Sequence, residues 1–170
     1  LRVWGMARKL GYGLKLNTVI NAQNIDSDMT DLVRSLGPTR WKIFQFLHIT
    51  GENDSAIGDS VGIEEFRGFV ACHKLALEGT GIDIISEENE DMLGSYAMID
   101  PKGRAYTNIS GRYLYSTRPI QEAGFARSWG EVSEGFDDEI FRSRGGEWDW
   151  GATKNGFHLP LLGASEGEGE

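Results

Sequence analysis

The stretch GPTRWKIFQF, residues 37–46, decides how the rest of the chain is read. Gly37-Pro38 is a stop for whatever precedes it, and the residues after it are the aromatic and branched types that fill strands. Successive side chains in a strand alternate faces. Arg40, Lys42, Phe44 and Phe46 therefore share one face, and Trp41, Ile43, Gln45 and Leu47 the other. The second set has the character of a buried face. The first puts two cations on the same strand of a chain whose formal charge is −9.

Upstream, LKLNTVI (14–20) is a short apolar strand with Lys15 and Asn17 on one face and Leu14, Leu16 and Thr18 on the other. The segment between the two strands, NAQNIDSDMTDLVRSLGP, predicts a loop and then a helix. Its apolar stripe is Leu32, Val33 and Leu36, and Asp26 or Ser27 is the expected N-cap. VWGMARKLGYG, at the start, has Val3, Met6 and Leu10 at helical spacing before Gly11 and Gly13. Helix, strand, helix and strand in this order are the signature of βαβ units with parallel strands, an α/β fold.

Downstream, IEEFRGFVACHKLALEG predicts a helix with Ile63, Phe66, Val70 and Leu77 on its inner face, and IDII (82–85) a buried strand. SYAMIDPKGRAYTN reads as a hairpin, with Asp100-Pro101-Lys102-Gly103 supplying the proline and glycine of a turn. FDDEIFRSR predicts a short helix ending at Gly145-Gly146. Residues 109–134 are weakly patterned, and the tail GASEGEGE is acidic and glycine-rich, as in disordered segments.

Composition narrows the function classes. With 39% hydrophobic residues in 170, the chain can build a real core, and its negative charge argues against a general nucleic-acid binder. Cys72 is the sole cysteine, which excludes an internal disulfide and a metal centre held by this chain's cysteines alone. No apolar run reaches the length of a membrane span, and no signal-peptide pattern is present. The chain opens on Leu1 inside a helical pattern, which leads us to expect further sequence before it.

If the polar faces of the two strands point the same way, Lys15, Arg40 and Lys42 crowd together. At an effective dielectric of about 20 and a separation of about 6 Å, each pair repels by roughly 3 kcal/mol. An anion among them would relieve this, and phosphate suits the planar fork of arginine and the point charge of lysine. The alternative is that the cations snorkel from strand ends or pair with acidic loop residues. FRSRGG carries the same two readings: a helix C-terminus with Arg142 and Arg144 against the dipole, or a loop whose Arg144 and glycine amides close over phosphate. His48, His73 and His158 lack metal-ligand spacing. Glu64/Glu65 and Asp137/Asp138 sit near helix starts, where they favour the dipole. Tyr96 is either hairpin packing or a residue facing a sugar.

The run LKLNTVINAQNIDSDMTDLVRSLGPTRWKIFQFLHITGEN closely resembles the later part of the viperin-like radical S-adenosylmethionine (SAM) enzymes, an antiviral nucleotide dehydratase family. KxNxVIN, DMT, RWKxFQ and GEN occur in that order at matching spacing. Weaker echoes follow in EEFRGFVACHK, EENEDMLGSYAMID and GFDDEIFRSRGGEW. The resemblance implies the later half of a partial (β/α) barrel over 1–108. A C-terminal extension over 109–150 would close on substrate, and 151–170 would be a disordered acidic tail. It implies a reaction in which a 5′-deoxyadenosyl radical, made from SAM at a [4Fe-4S] cluster, removes the 4′ hydrogen of CTP. Loss of the 3′ hydroxyl, with an electron and a proton, would then give 3′-deoxy-3′,4′-didehydro-CTP.

By the same resemblance, Lys15, Arg40 and Lys42 look like triphosphate-binding cations and Asn17 like a substrate-contacting amide. Tyr96 resembles the tyrosine beside the ribose, the one catalytic candidate. Arg144, Gly145 and Gly146 look like a loop over the γ-phosphate, and Phe44, Gln45 and Phe46 like contacts to the adenosine of SAM. The family's CxxxCxxC cluster motif and its glycine-rich SAM motif are absent, so no metal ligand is assigned and the missing barrel half is the expected partner. The basic tract after the hairpin is thinned to SGRYLYSTR, and Glu147 stands where animal members have lysine, which leaves UTP or another nucleotide open beside CTP. Animal members end in a tryptophan used by the iron–sulfur assembly machinery, whereas this chain ends GEGE. An intracellular, cytoplasmic location is expected, with membrane association through a preceding segment. Two other readings stand beside this one. The chain could be a non-catalytic nucleotide-triphosphate binding module acting through partners, or part of a non-radical barrel enzyme acting on a phosphorylated metabolite.

Overall fold

The computed structural model describes residues 2–109 and 111–144. Helix α1 (Arg2–Lys9) leads into strand β1 (Lys15–Ile20), helix α2 (Thr30–Leu36) and strand β2 (Arg40–Gln45). A 3-10 turn (Asp54–Asp59) and helix α3 (Ile63–Ala76) then deliver strand β3 (Asp83–Glu87). The three strands form a parallel sheet in the order β1-β2-β3.

One face of this sheet is the core. Ile20, Trp41 and Ile43 pack against Val33 of α2 and Phe66, Phe69, Val70 and Leu77 of α3. Trp41 is fully buried, and its indole N–H still finds an acceptor, donating to Thr18 Oγ1 at 2.9 Å. That removes the cost of burying an unpaired polar group. The strand's burial alternates residue by residue, as the 37–46 stretch requires.

The helix starts differ in part from expectation. Asp26 and Ser27 do not cap α2, which begins at Thr30 behind a tight polar loop. Around this start, His73 of α3 accepts the Met29 N–H through Nε2 at 3.0 Å while its Nδ1 faces Phe69 O at 2.8 Å, and Asp28 Oδ1 accepts the Thr30 N–H at 2.9 Å. An amide near the helix start is thus satisfied from across the core. At the other end, Gly37 adopts φ +52° and its N–H bonds Val33 O, the expected stop. Glu65 accepts the Gly62 N–H ahead of α3. Asp137 caps its helix by accepting from Glu139 N and Ile140 N.

After β3, a short helix α4 (Asn89–Met92) leads to an antiparallel sheet of β4 (Met98–Ile99), β5 (Ala105–Ile109) and β6 (Arg112–Tyr115). The β4–β5 turn is the one expected, closed by Gly103 N–H to Asp100 O at 2.9 Å. Strand β6 lies in the weakly patterned region. It pairs with β5 through a cluster of Tyr106, Tyr113 and Tyr115. Helices α5 (Ile120–Ala123), α6 (Phe125–Gly130) and α7 (Asp138–Ser143) complete the described chain.

Among the described residues the chain is therefore a mixed α/β protein with one parallel and one antiparallel sheet, and these do not form a barrel. No helix among the described residues is long and apolar enough to cross a membrane.

Candidate functional site

The sheet face opposite the core is polar. Register places Lys15 of β1 beside Arg40 of β2 and Asp83 of β3, then Asn17 beside Lys42 and Ile85, then Val19 beside Phe44 and Glu87. Parallel neighbours stand about 4.8 Å apart, so these side chains share one small patch. The lysines and Arg40 do gather on one face.

Three ion-pair contacts organise them. Arg40 Nε lies 2.6 Å from Asp83 Oδ2, while Lys42 Nζ and Arg144 Nη1 both reach Glu87 Oε1, the arginine at 2.9 Å. Glu87 is completely buried and Arg144 nearly so. The other guanidinium nitrogen, Nη2, donates to Ser95 O at 2.6 Å. Glu87 Oε2 accepts the Tyr96 hydroxyl at 2.5 Å, and the Arg144 guanidinium lies 3.9 Å over the Tyr96 ring. Burial, then the bond to Glu87, pushes the Tyr96 phenol well above its usual range, so it stays protonated.

Lys15 responds to the crowding. Partial burial depresses its ammonium pKa, and the positive charges of Lys42 and Arg40 depress it further, with Arg144 adding to the effect against the opposing pull of Glu87. Four cations face two carboxylates here, an excess of positive charge within an acidic protein. Asn17 is exposed on the same face.

Beside the patch, a cavity of about 420 Å³ is lined by Val19, Phe44, Phe46, Tyr96, Asn108 and Tyr113, among others. Phe44 and Phe46 border it, and Lys42 Nζ sits 5.3 Å from the Phe44 ring centre. Gln45 points to the other face, and its amide is spent on Val61 O and the Asn89 N–H. Gly145 and Gly146 lie outside the described residues. Arg144 follows the last turn of α7 as its cap, and its side chain reaches Glu87 in the cationic patch.

The sequence reading missed Asp83 and Glu87. It ended β3 at residue 85. Carrying the alternation on to Glu87 would have set Asp83, Ile85 and Glu87 on one face.

A parallel sheet with helices packed on one face, and convergent cations beside a cavity on the other, defines an α/β protein with a locally cationic sheet face. No protein-family model matches the chain. It is 37% identical to the S-adenosylmethionine-dependent nucleotide dehydratase of Lacinutrix mariniflava over 147 residues, which are 85% of this chain and 29% of that protein. The enzyme of the same name from Flammeovirga pacifica matches at 36% identity over 82% of this chain and 46% of its own length. The S-adenosylmethionine-dependent nucleotide dehydratase RSAD2 of Siniperca chuatsi matches at 34% over 88% of this chain and 41% of its own. Over the residues matched, the chain belongs to this viperin-like nucleotide dehydratase family. It spans less than half the length of these curated relatives.

Proposed function

We propose that the chain forms the substrate-phosphate side of a SAM-dependent nucleotide dehydratase, with CTP as its substrate and 3′-deoxy-3′,4′-didehydro-CTP as its product. The observation that carries this is the register: Lys15 beside Arg40, with Lys42 next on the same face, close enough for the neighbouring charges to depress the Lys15 pKa. The sequential strand order β1-β2-β3 with helical crossovers also suits a partial (β/α) barrel.

In this reading Lys15, Arg40, Lys42 and Arg144 neutralise the triphosphate, and Arg40 and Arg144 offer their planar forks to its oxygens. Asn17, on the same face, hydrogen-bonds the sugar–phosphate junction. Tyr96 stands at the border between the cations and the cavity, where the ribose would lie, and its phenol holds a proton at the oxygen bonded to Glu87. The apolar walls formed by Phe44 and Phe46 suit the adenosine of SAM; Gln45 also borders the cavity, with its amide held by Val61 O and the Asn89 N–H. When bound, SAM would supply removal of the 4′ hydrogen. The cluster does not fit these residues: no group of three or more His, Cys, Asp or Glu side chains among the described residues could hold a metal, and Cys72 is an isolated, exposed residue of α3.

The test is nucleotide binding by the full-length protein. Arg40→Ala or Lys42→Ala should weaken CTP binding by about tenfold or more, the worth of a charge-assisted hydrogen bond. SAM binding should hold. Equal loss of both ligands would overturn the assignment. UTP run in parallel decides the base.

A further inference from the structure

Glu87 is the only acidic side chain fully buried among the described residues, and it sits in the middle of the cationic patch. A buried carboxylate is tolerated only when cations and donors compensate its lost hydration, and Lys42, Arg144 and Tyr96 do so here. The compensation is lopsided. Both cations crowd onto the single oxygen Oε1. Arg144 Nε is buried with no hydrogen-bond partner among the described residues. Partial burial, and after it the charges of Lys42 and Arg40, keep the Lys15 pKa below its usual value. With Asp83 spent on Arg40, the two carboxylates therefore leave the four-cation cluster with charge and a donor unmet.

We propose that Glu87 is a built-in counter-ion, a positioning residue that holds Lys42 and Arg144 aimed into the patch until an incoming polyphosphate takes them over. This rests on reading the patch as a polyphosphate site. The physical reason is a matter of competition. A triphosphate presents several charged oxygens and can reach cations that Glu87 meets with only one. In this exchange a bound polyphosphate draws both cations away from Oε1, so Glu87 weakens binding by an amount that its neutral isostere would restore. Pre-aligned cations lose less side-chain freedom on binding, and the internal competitor keeps the bound anion releasable. The Tyr96 hydroxyl, on the other oxygen, is then the donor that Glu87 retains, so the arrival of phosphate is felt at the residue placed beside the ribose.

The experiment is titration of the full-length protein with inorganic triphosphate, followed by calorimetry, for the wild type and for Glu87→Gln. We expect Glu87→Gln to bind triphosphate about tenfold or more tightly, as removal of one buried negative charge within a few ångströms requires. A role limited to scaffolding would leave affinity unchanged or lower it, and either result overturns the proposal. If Glu87→Gln does not fold, a crystal structure of the wild type with triphosphate decides. Lys42 and Arg144 transferred from Oε1 to phosphate oxygens support the exchange, and both contacts retained overturn it. A wild type that binds no triphosphate overturns the polyphosphate reading itself, a result distinct from a wild type that binds as tightly as the variant.

Discussion

Arg40 and Asp83 face each other directly across the β2–β3 pairing, with Nε 2.6 Å from Oδ2. The arginine lies half-buried between Lys15 on one side and this carboxylate on the other. Asp83 is the more exposed partner, with 44% of its side chain open to solvent. Water therefore screens the pair, and its share of stability is small.

Asp83→Asn should accordingly leave the urea midpoint almost unchanged, a shift worth under about 1 kcal/mol. It should tighten triphosphate binding by a few fold, because Arg40 loses a competing anion, and by less than Glu87→Gln because the site is solvated. An unfolding midpoint that falls steeply would show that the pair holds the strands together instead.

The alkaline stability curve should carry the mark of Lys15. Its folded pKa lies below the 10.5 of an ordinary lysine. Below the folded value the side chain is charged in both states, and the folded state bears the cost of its partial burial and then the repulsion from Lys42 and Arg40. As pH rises from the folded value toward 10.5, the unfolded chain holds more protons than the folded one, so stability rises. Lys15→Gln should be the more stable protein near neutral pH, and its advantage should shrink above that window. Parallel urea titrations at neutral pH and above pH 10.5 check this, and a constant difference would contradict it.

Gly94→Ala should damage the site from a distance. Gly94 has φ +68°, and a Cβ there would stand 2.8 Å from the Gly135 carbonyl oxygen. Its N–H donates to Asn108 O and its own carbonyl accepts the Asp137 N–H, each at 2.7 Å. The residue thus ties β5 to the cap of α7, and through them fixes Tyr96 and Arg144. We expect a loss of about 1–3 kcal/mol from strain and displaced backbone, together with weaker triphosphate binding. Retained affinity in a destabilised variant would detach α7 from the site.

Much of the parallel half was legible before any coordinates. Strand alternation placed Trp41 and Ile43 in the core and Arg40 and Lys42 opposite them, because that pattern follows from backbone geometry alone. The Asp100–Gly103 turn and the Gly37 stop were equally local, fixed by residues that favour those conformations. The α2 start was not, because the chain entering it is held from a distance: the Met29 N–H is met by His73, 44 positions later. Strand β6 hid in a stretch whose signal was only RYLY after a glycine, and it is held by tyrosine contacts across strands.

The sequence by itself determined that two short strands would each carry cations on one face and apolar residues on the other. Folding decided which acids answer them. Glu87 and Arg144 are 57 residues apart, and no periodicity connects them. They meet because β3 joins the sheet beside β2 and the segment leading into α7 docks through Gly94. Alternation is written into each residue's covalent geometry, whereas the partner of a buried charge is set by whichever distant group the packed chain brings within reach.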